Sequence, residues 1–384
     1  MLKIFGSHDE NTLKQMETCM AHPAAVAGVL CADGHLGYGH PIGGVVAYQD
    51  HVSLSGVGFD IGCGNMAVKT DVPWSTLAPR AGAIAGDIAN TISFGVGRKN
   101  NERVEHPLLD NDTLWKLSGL DEFRTLARDQ LGTVGSGNHY VDLFEDDDGF
   151  TWIGVHFGSR GFGHKVASHF LKLCGAKDGM MVEPCVLSTE NALGLQYLRA
   201  MTLAGDYASA GREWVVNKVL GIIDGYVLDE VHNHHNYAWF ENGLWVVRKG
   251  ATPAFPGQRG FVGGSMGDAA VILEGVAGEA SEEALHSTVH GAGRVMSRTQ
   301  ARGKVHKKTG EVKQEPQITR EAMNAWLKAT GVLRIGGDVD EAPQAYRRLS
   351  EVLKAHEGTI NVQHVLQPRV VLMAGSDDFD PYKD

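Results

Sequence analysis

The sequence predicts an α+β fold, on three observations. Short strand-like runs are mixed irregularly with helical stretches and do not repeat as βαβ units. Hydrophobic residues are 43% of the 384, enough for a sizeable core. No internal repeat or low-complexity linker divides the chain, so a single domain over 1–384 is expected, with an acidic tail at 376–384.

Taken in order, residues 9–22 read as a helix by composition. GGVVAY (43–48) and MAVK (66–69) read as short strands around a Gly-rich turn. Residues 78–92 and 111–130 are mainly helical, and strands are expected at 140–144 and 151–156, parted by the acidic turn EDDDG. From 189 to 229, Leu195, Leu198 and Met201, then Trp214, Val215, Val219 and Leu220, fall near helical spacing. This predicts two helices broken near Gly205 or Gly211. Strands follow at 244–248 and 270–274, a helix at 319–329 with Thr319 as its N-cap, and a last strand at 369–373. The polar stretch 303–317 is the best place for a boundary, or is only a loop. The tail SDDFDPYKD carries four Asp and reads as a solvated end.

Composition narrows the function. The formal net charge of -11 excludes general attraction to nucleic acid, so any RNA must meet a local basic patch. The five cysteines include no CxxC pair, and an odd count argues against a closed disulfide framework. The N-terminus has no apolar signal region, and no apolar run reaches the ~18 residues of a membrane span. The expected location is cytoplasmic, where a thiol can serve as a metal ligand. Glycine stands at 49 and clusters beside His, Asp and Cys, as backbone must when it approaches a ligand closely.

Several segments could carry chemistry. GVGFDIGCGN (56–65) sets Asp60 and Cys63 among Gly58, Gly62 and Gly64. A carboxylate with a thiolate suits a metal better than a plain phosphate loop; a tight turn with a buried cysteine is the alternative. GTVGSGNHYVDLF (132–144) places Asn138 and His139 where a Gly-rich loop meets a strand. VHFGSRGFGH (155–164) ends a strand at His156 and continues through Ser159 and Arg160, a combination ready for phosphate. VHNHHNYA holds His232, His234, His235 and Asn236; on a helix, His232 and His235 would share a face. FVGGSMGDAA (261–270) is a further Gly-rich turn, weak by itself.

STVHGAGRVMSRTQAR (287–302) is the sharpest segment. His290, Gly291 and Gly293 precede a helix expected to begin near Arg294, whose N-terminus would favour an anion. Arg294, Arg298 and Arg302 recur every four residues and would line one helix face. Between 294 and 308 there are six Lys or Arg and no acid, so the acidic total hides a basic stripe. A solvated basic helix is the alternative, but it leaves His290 and its glycines unexplained. Together, these ligand types suit Mn²⁺, Zn²⁺ or Fe²⁺, and a bridging thiolate could hold two ions. Neutral imidazole is a competent nucleophile toward phosphorus. The residues alone therefore indicate a metal-dependent enzyme acting on phosphates by phosphoryl or nucleotidyl transfer.

From DGHLGYGHPIGG (33–44) to QPRVVLMAG (367–375) the sequence resembles the RtcB family of RNA ligases. FDIGCG, GSGNH, HFGSRGFGH, HNYA, GGSMG and HGAGR occur in the family's order. The resemblance implies an RtcB-like fold, with short-stranded sheets and helices around a central metal and nucleotide cleft. It implies that Asp60, Cys63 and His139 hold one Mn²⁺, and that Cys63, His156 and His235 hold another. It makes His290 the nucleophile that GTP guanylylates. GMP would be contacted by Asn138, His139, Tyr140, Val141 and Asp142, by His235 and Asn236, and by Gly263, Gly264, Ser265 and Met266. His290, Gly291, Ala292 and Gly293 would complete that contact. Arg160, Arg294 and Arg298 would bind RNA phosphates. The implied reaction joins RNA ending in a 2′,3′-cyclic phosphate or 3′-phosphate to RNA with a 5′-hydroxyl, in RNA repair or tRNA splicing. Two positions depart from the family pattern. Ala374 stands where a nucleotide-contacting Lys usually precedes the terminal Gly, and Ala270 where a nucleotide-contacting Ser is common. These departures motivate an alternative, a metal-dependent phosphodiesterase or phosphatase that acts on RNA ends without ligation.

Overall fold

A computed structural model describes residues 1–375 apart from 178, 307, 308 and 310. The tail at 376–384 lies outside the described residues. Two large sheets and the helices packed on them form the body, in keeping with an α+β fold. The first sheet has five strands in the spatial order Leu2–Ile4, Ala25–His35, Ile42–Tyr48, Leu244–Lys249 and Asn236–Glu241. The second runs Arg259–Val262, Ala270–Gly275, Ile360–Met373, Tyr140–Glu145, Phe150–Phe157, Gly64–Pro73 and Val227–His234, with Leu333–Ile335 added beside Ile360–Met373. Neighbours are antiparallel except the pairs made by Leu2–Ile4 and by Leu333–Ile335.

The segment expected to hold two helices is one helix, Ala192–Ile223, 32 residues long. Gly205 and Gly211 are close-approach points and not breaks. A Cβ on Gly205 would stand 2.8 Å from Cε2 of Tyr237, and one on Gly211 would stand 3.3 Å from Phe157. Packing outweighs the ~1 kcal/mol that each helical glycine costs relative to alanine. The N-terminal half of the helix, through Ala200, Leu203, Ala204 and Tyr207, packs with Phe162, Val166 and Phe170. The C-terminal half, through Val215, Val219 and Ile223, packs on Val68, Ile153 and Val155 of the second sheet.

The last strand is far longer than 369–373 suggested. It spans Ile360–Met373 and pairs with Ala270–Gly275 along its first half and with Tyr140–Glu145 along its second. Polar, partly exposed residues between Asn361 and His364 hide the first half from a hydrophobic pattern. The stretch 303–317 carries a small antiparallel pair, Lys304–Val305 with Val312–Gln314. The helix expected at 319–329 spans Arg320–Thr330, and the Thr319 hydroxyl accepts the Ala322 N–H at 3.1 Å. Thr319→Ala is expected to destabilise by about 1 kcal/mol, read as a lower urea midpoint at unchanged slope. No helix among the described residues is long and apolar enough to cross a membrane.

Candidate metal and nucleotide site

The site begins at the turn between the short helix Leu54–Val57 and the strand Gly64–Pro73. Gly58 and Gly62 have φ of 82° and 70°, values that cost little without a Cβ, and they turn Asp60 and Cys63 inward. Pairing between strands supplies the rest. Asn65 stands opposite His156, and His156 opposite Tyr140, so His156 and His139, which precedes Tyr140, come up beside Cys63. Cys63 Sγ lies 3.6 Å from Nε2 of both His139 and His156, and His139 Nε2 is 3.1 Å from Asp60 Oδ2. The donor atoms of Cys63, His139 and His156 all lie within 4.8 Å of one another. His235 joins through the backbone, its N–H donating to the Cys63 carbonyl at 2.8 Å. Its ring centroid is 5.0 Å from that of His156.

Electrostatics and hydrogen bonding leave these groups short of partners. Burial, and then the charge of Asp60, push the Cys63 thiol well above its ordinary range. Burial likewise pushes His156 and His235 well below theirs, so both are neutral donors of a lone pair. Burial raises Asp60, but hydrogen bonding and charge from His139 outweigh it and hold the carboxyl low. Asn65 gives its amide N–H to the Phe261 carbonyl and turns its oxygen to His156 Nδ1 at 2.6 Å. This fixes the proton on Nδ1 and leaves Nε2 facing Cys63, as a ligating histidine requires. Buried Asp60 Oδ1, His139 Nδ1 and His235 Nδ1 have no hydrogen-bond partner. A cradle of soft and borderline donors with unmet polar atoms fits a cation.

His290 follows the strand Ser287–Val289 and faces the same space, its ring centroid 5.0 Å from that of His235. Its Nδ1 is 2.6 Å from Oδ2 of Asp33, which is fully buried, and the His290 and Gly291 N–H groups donate to the same oxygen. Burial raises the Asp33 carboxyl, but the charge and hydrogen bonds of His290 win and hold it below the usual range. A carboxylate on Nδ1 makes Nε2 the nitrogen with the free lone pair. Sequence reasoning did not single out Asp33. An acid inside the apolar run GVLCADGH, beside Gly34, was the available signal. Asp33→Asn is expected to slow nucleophilic attack by His290 about 100-fold, because an amide can hold the wrong tautomer. Single-turnover measurement of covalent labelling checks it.

These groups share a cavity of about 590 Å³, a size suited to a nucleotide. Asp60, Cys63, His139, His156, His235 and His290 line it. So do Asn138, Tyr140, Asp142 and Asn236, the turn Gly263–Gly264–Ser265–Met266, and Gly291, Ala292, Gly293, Arg294 and Arg298. Among the described residues, buried Tyr140 Oη, Asp142 Oδ1 and Ser265 Oγ have no hydrogen-bond partner. Burial pushes the Asp142 carboxyl well above its ordinary range. Four residues of the expected set do not line the cavity. Val141 alternates to the opposite face of its strand and enters the core, and Ala270 lies in the apolar cluster around Phe261. Ala374 accepts the Gly337 N–H through its carbonyl. Arg160, at φ 59°, stands behind Gly135, where an added Cβ would meet both His139 Nδ1 and Arg160 Nη1.

Two local expectations need correction. The histidine run is not helical: Val227–His234 is a strand, so His232 and His234 share a face and His235 lies beyond its end. Nor does a helix begin near Arg294. Gly293 has φ 75°, Arg294 bridges to Tyr346, and the helix is only Arg298–Arg302, capped by Ser297. The arginines meet an acidic turn instead. Glu341, buried, pairs with Arg294 at 3.2 Å and Arg298 at 2.9 Å, while Arg302 is 3.9 Å from Asp340. Burial raises Glu341, but these two guanidiniums hold it low.

Comparison with known proteins identifies the family. A sequence model of the family described as tRNA-splicing ligase RtcB matches residues 15–121 and 110–374. The RNA-splicing ligase RtcB of Escherichia coli (strain K12) is 30% identical over 380 residues, covering 89% of this chain and 88% of the relative. The tRNA-splicing ligase RtcB of Nanoarchaeum equitans is 31% identical over 431 residues, covering 91% and 88%. That of Pyrobaculum aerophilum is 30% identical over 413 residues, covering 85% and 83%. With a family model matched from residue 15 to residue 374 and relatives aligned along most of both chains, this protein belongs to the RtcB family.

Proposed function

We propose that this protein is an RNA ligase that joins a 2′,3′-cyclic phosphate or 3′-phosphate end to a 5′-hydroxyl end, using GTP and Mn²⁺, in RNA repair or tRNA splicing. The observation that carries the reading is the His290 imidazole, held on Nδ1 by a buried carboxylate in one cavity with the Cys63 cluster. The names of the relatives, RNA-splicing and tRNA-splicing ligases, support the same class. Asp60, Cys63 and His139 would hold one Mn²⁺, and Cys63, His156 and His235 the other. When bound, the cations would screen phosphate charge and polarise the phosphorus under attack.

The chain's own residues do the rest. Asp33 accepts a hydrogen bond from the Nδ1–H of His290, which fixes the tautomer and leaves the Nε2 lone pair available. Nε2 attacks the α-phosphorus of GTP, a nitrogen–phosphorus bond forms, and pyrophosphate leaves. Water opens a cyclic phosphate to a 3′-phosphate. One oxygen of that phosphate then takes GMP from His290, and the 5′-hydroxyl displaces GMP to leave a phosphodiester. Asn138, Tyr140 and Asp142, Asn236, the turn Gly263–Met266 and Gly291–Gly293 would enclose GMP. Arg160, Arg294 and Arg298 would meet RNA phosphates, with Glu341 presenting Arg294 and Arg298 in fixed orientation. All of this falls to one catalytic domain over 1–384, and a reducing cytoplasm would keep Cys63 competent.

A second reading, phosphodiesterase or phosphatase action without ligation, is favoured by two positions. Ala374 brings no cation and Ala270 no hydroxyl toward a nucleotide. One assay separates them: an RNA with a 2′,3′-cyclic phosphate, a 5′-hydroxyl partner, Mn²⁺ and GTP. A joined product that requires GTP is expected. Hydrolysed ends without joined product, with or without GTP, establish the second reading instead.

A further inference from the structure

Two histidines of the HNHHNYA run, His232 and His234, do not line the cavity. They meet a cation behind its wall. Arg212, on the helix Ala192–Ile223, is fully buried. Its Nη1 donates to the carbonyls of Gly62 at 2.9 Å and Phe157 at 2.6 Å, and its Nε donates to His232 Nε2 at 2.8 Å. Its Nη2 is 3.0 Å from His234 Nδ1. That nitrogen is also 2.9 Å from the Gly62 carbonyl, so one tautomer accepts from the guanidinium and the other donates to the carbonyl.

The partners of this one group follow a pattern. Gly62 immediately precedes Cys63. Phe157 immediately follows His156. His232 and His234 lie on the strand that leads into His235. A single planar guanidinium therefore ties together the three chain segments that present Cys63, His156 and His235. The helix that carries it is unbroken, so its position relative to the sheet is fixed. Contact is also made nearby by backbone alone: a Cβ on Gly62 would stand 2.9 Å from the Cα of Gly205, two helical turns from Arg212 on the same face. An arginine is needed for this geometry. Its donors are spread in a rigid plane and reach separate acceptors, whereas a lysine ammonium is a point charge on a flexible stem.

We propose that Arg212 is a positioning residue that sets the mutual distances of Cys63, His156 and His235 for metal binding, without touching metal or substrate. The proposal rests on reading those side chains as metal ligands. The test is a Co²⁺ titration of the full chain, following the thiolate-to-cobalt absorption and the d–d bands, which report the surroundings of Cys63 without any turnover. Wild type is expected to develop both. Arg212→Lys is expected to keep the wild-type far-UV circular dichroism, to bind Co²⁺ at least about tenfold more weakly, and to show altered d–d bands. His232→Ala retains the guanidinium and loses one anchor, and a smaller weakening is expected. Wild-type affinity and spectrum in both variants would overturn the proposal. Should Arg212→Lys fail to fold, His232→Ala decides alone: weaker Co²⁺ binding supports the positioning role and unchanged binding overturns it. Failure of the underlying metal-site reading looks different, since wild type itself would then show no thiolate-to-cobalt band.

Discussion

His290→Ala is expected to eliminate transfer of label from α-labelled GTP to the protein, a fall of at least about four orders of magnitude. His290 is held on Nδ1 by buried Asp33, which leaves its other nitrogen to act as the proposed nucleophile, and its ring stands 5.0 Å from that of His235. Alanine would remove the proposed nucleophile and leave Cys63, His139 and His156, whose donors cluster together, in place. Co²⁺ or Mn²⁺ binding should therefore stay near the wild-type level while labelling disappears. The wild-type label should be lost in acid and survive base, as a phosphoramidate does. Label retained by His290→Ala would move the nucleophile elsewhere.

Cys63→Ala is expected to have the second large effect, on metal rather than on the nucleophile. Cys63 lies 3.6 Å from both His139 and His156, so under the proposed two-metal reading one substitution would weaken both positions. Losing even an outer partner of a metal ligand typically costs 10–100-fold in affinity. Losing a shared ligand should cost more than about 100-fold, and activity at ordinary metal concentrations should disappear. Calorimetric titration checks it, with circular dichroism to confirm that the small, buried substitution leaves the fold intact.

The same thiol gives a pH dependence with a defined sign. Burial and Asp60 push the Cys63 thiol up, so the metal-free protein carries it protonated near neutrality. Metal binding must then release that proton. Affinity should rise with pH, about tenfold per unit while the thiol remains the proton-bearing form. Cys63→Ala should flatten the profile.

Much of the site was legible in the sequence because its side chains stand beside glycine turns. FDIGCG, GSGNH and HGAGR each pair a chemically distinctive residue with backbone that needs small or left-handed positions, and both features survive in a linear reading. Asp33 was not legible as a partner of His290, because the pairing spans 257 positions and rests on tertiary folding alone. The same holds for Glu341, whose contacts with Arg294 and Arg298 turn an apparent basic stripe into an ion-pair network. Errors in the elements share a cause. Gly205 and Gly211 look like helix breakers until Tyr237 and Phe157 are seen against them. His232 and His235 look like helical neighbours until their segment pairs with the strand Gly64–Pro73. In each case packing overrode a local tendency.

A crystal grown with Mn²⁺ and GTP, with anomalous data collected at the manganese edge, tests the central claim most directly. Two manganese peaks are predicted, both within bonding reach of Cys63 Sγ at roughly 2.0–2.5 Å, together with continuous density from His290 Nε2 to phosphorus. Manganese bound away from Cys63, or a nucleotide whose α-phosphorus faces away from His290, would contradict the account.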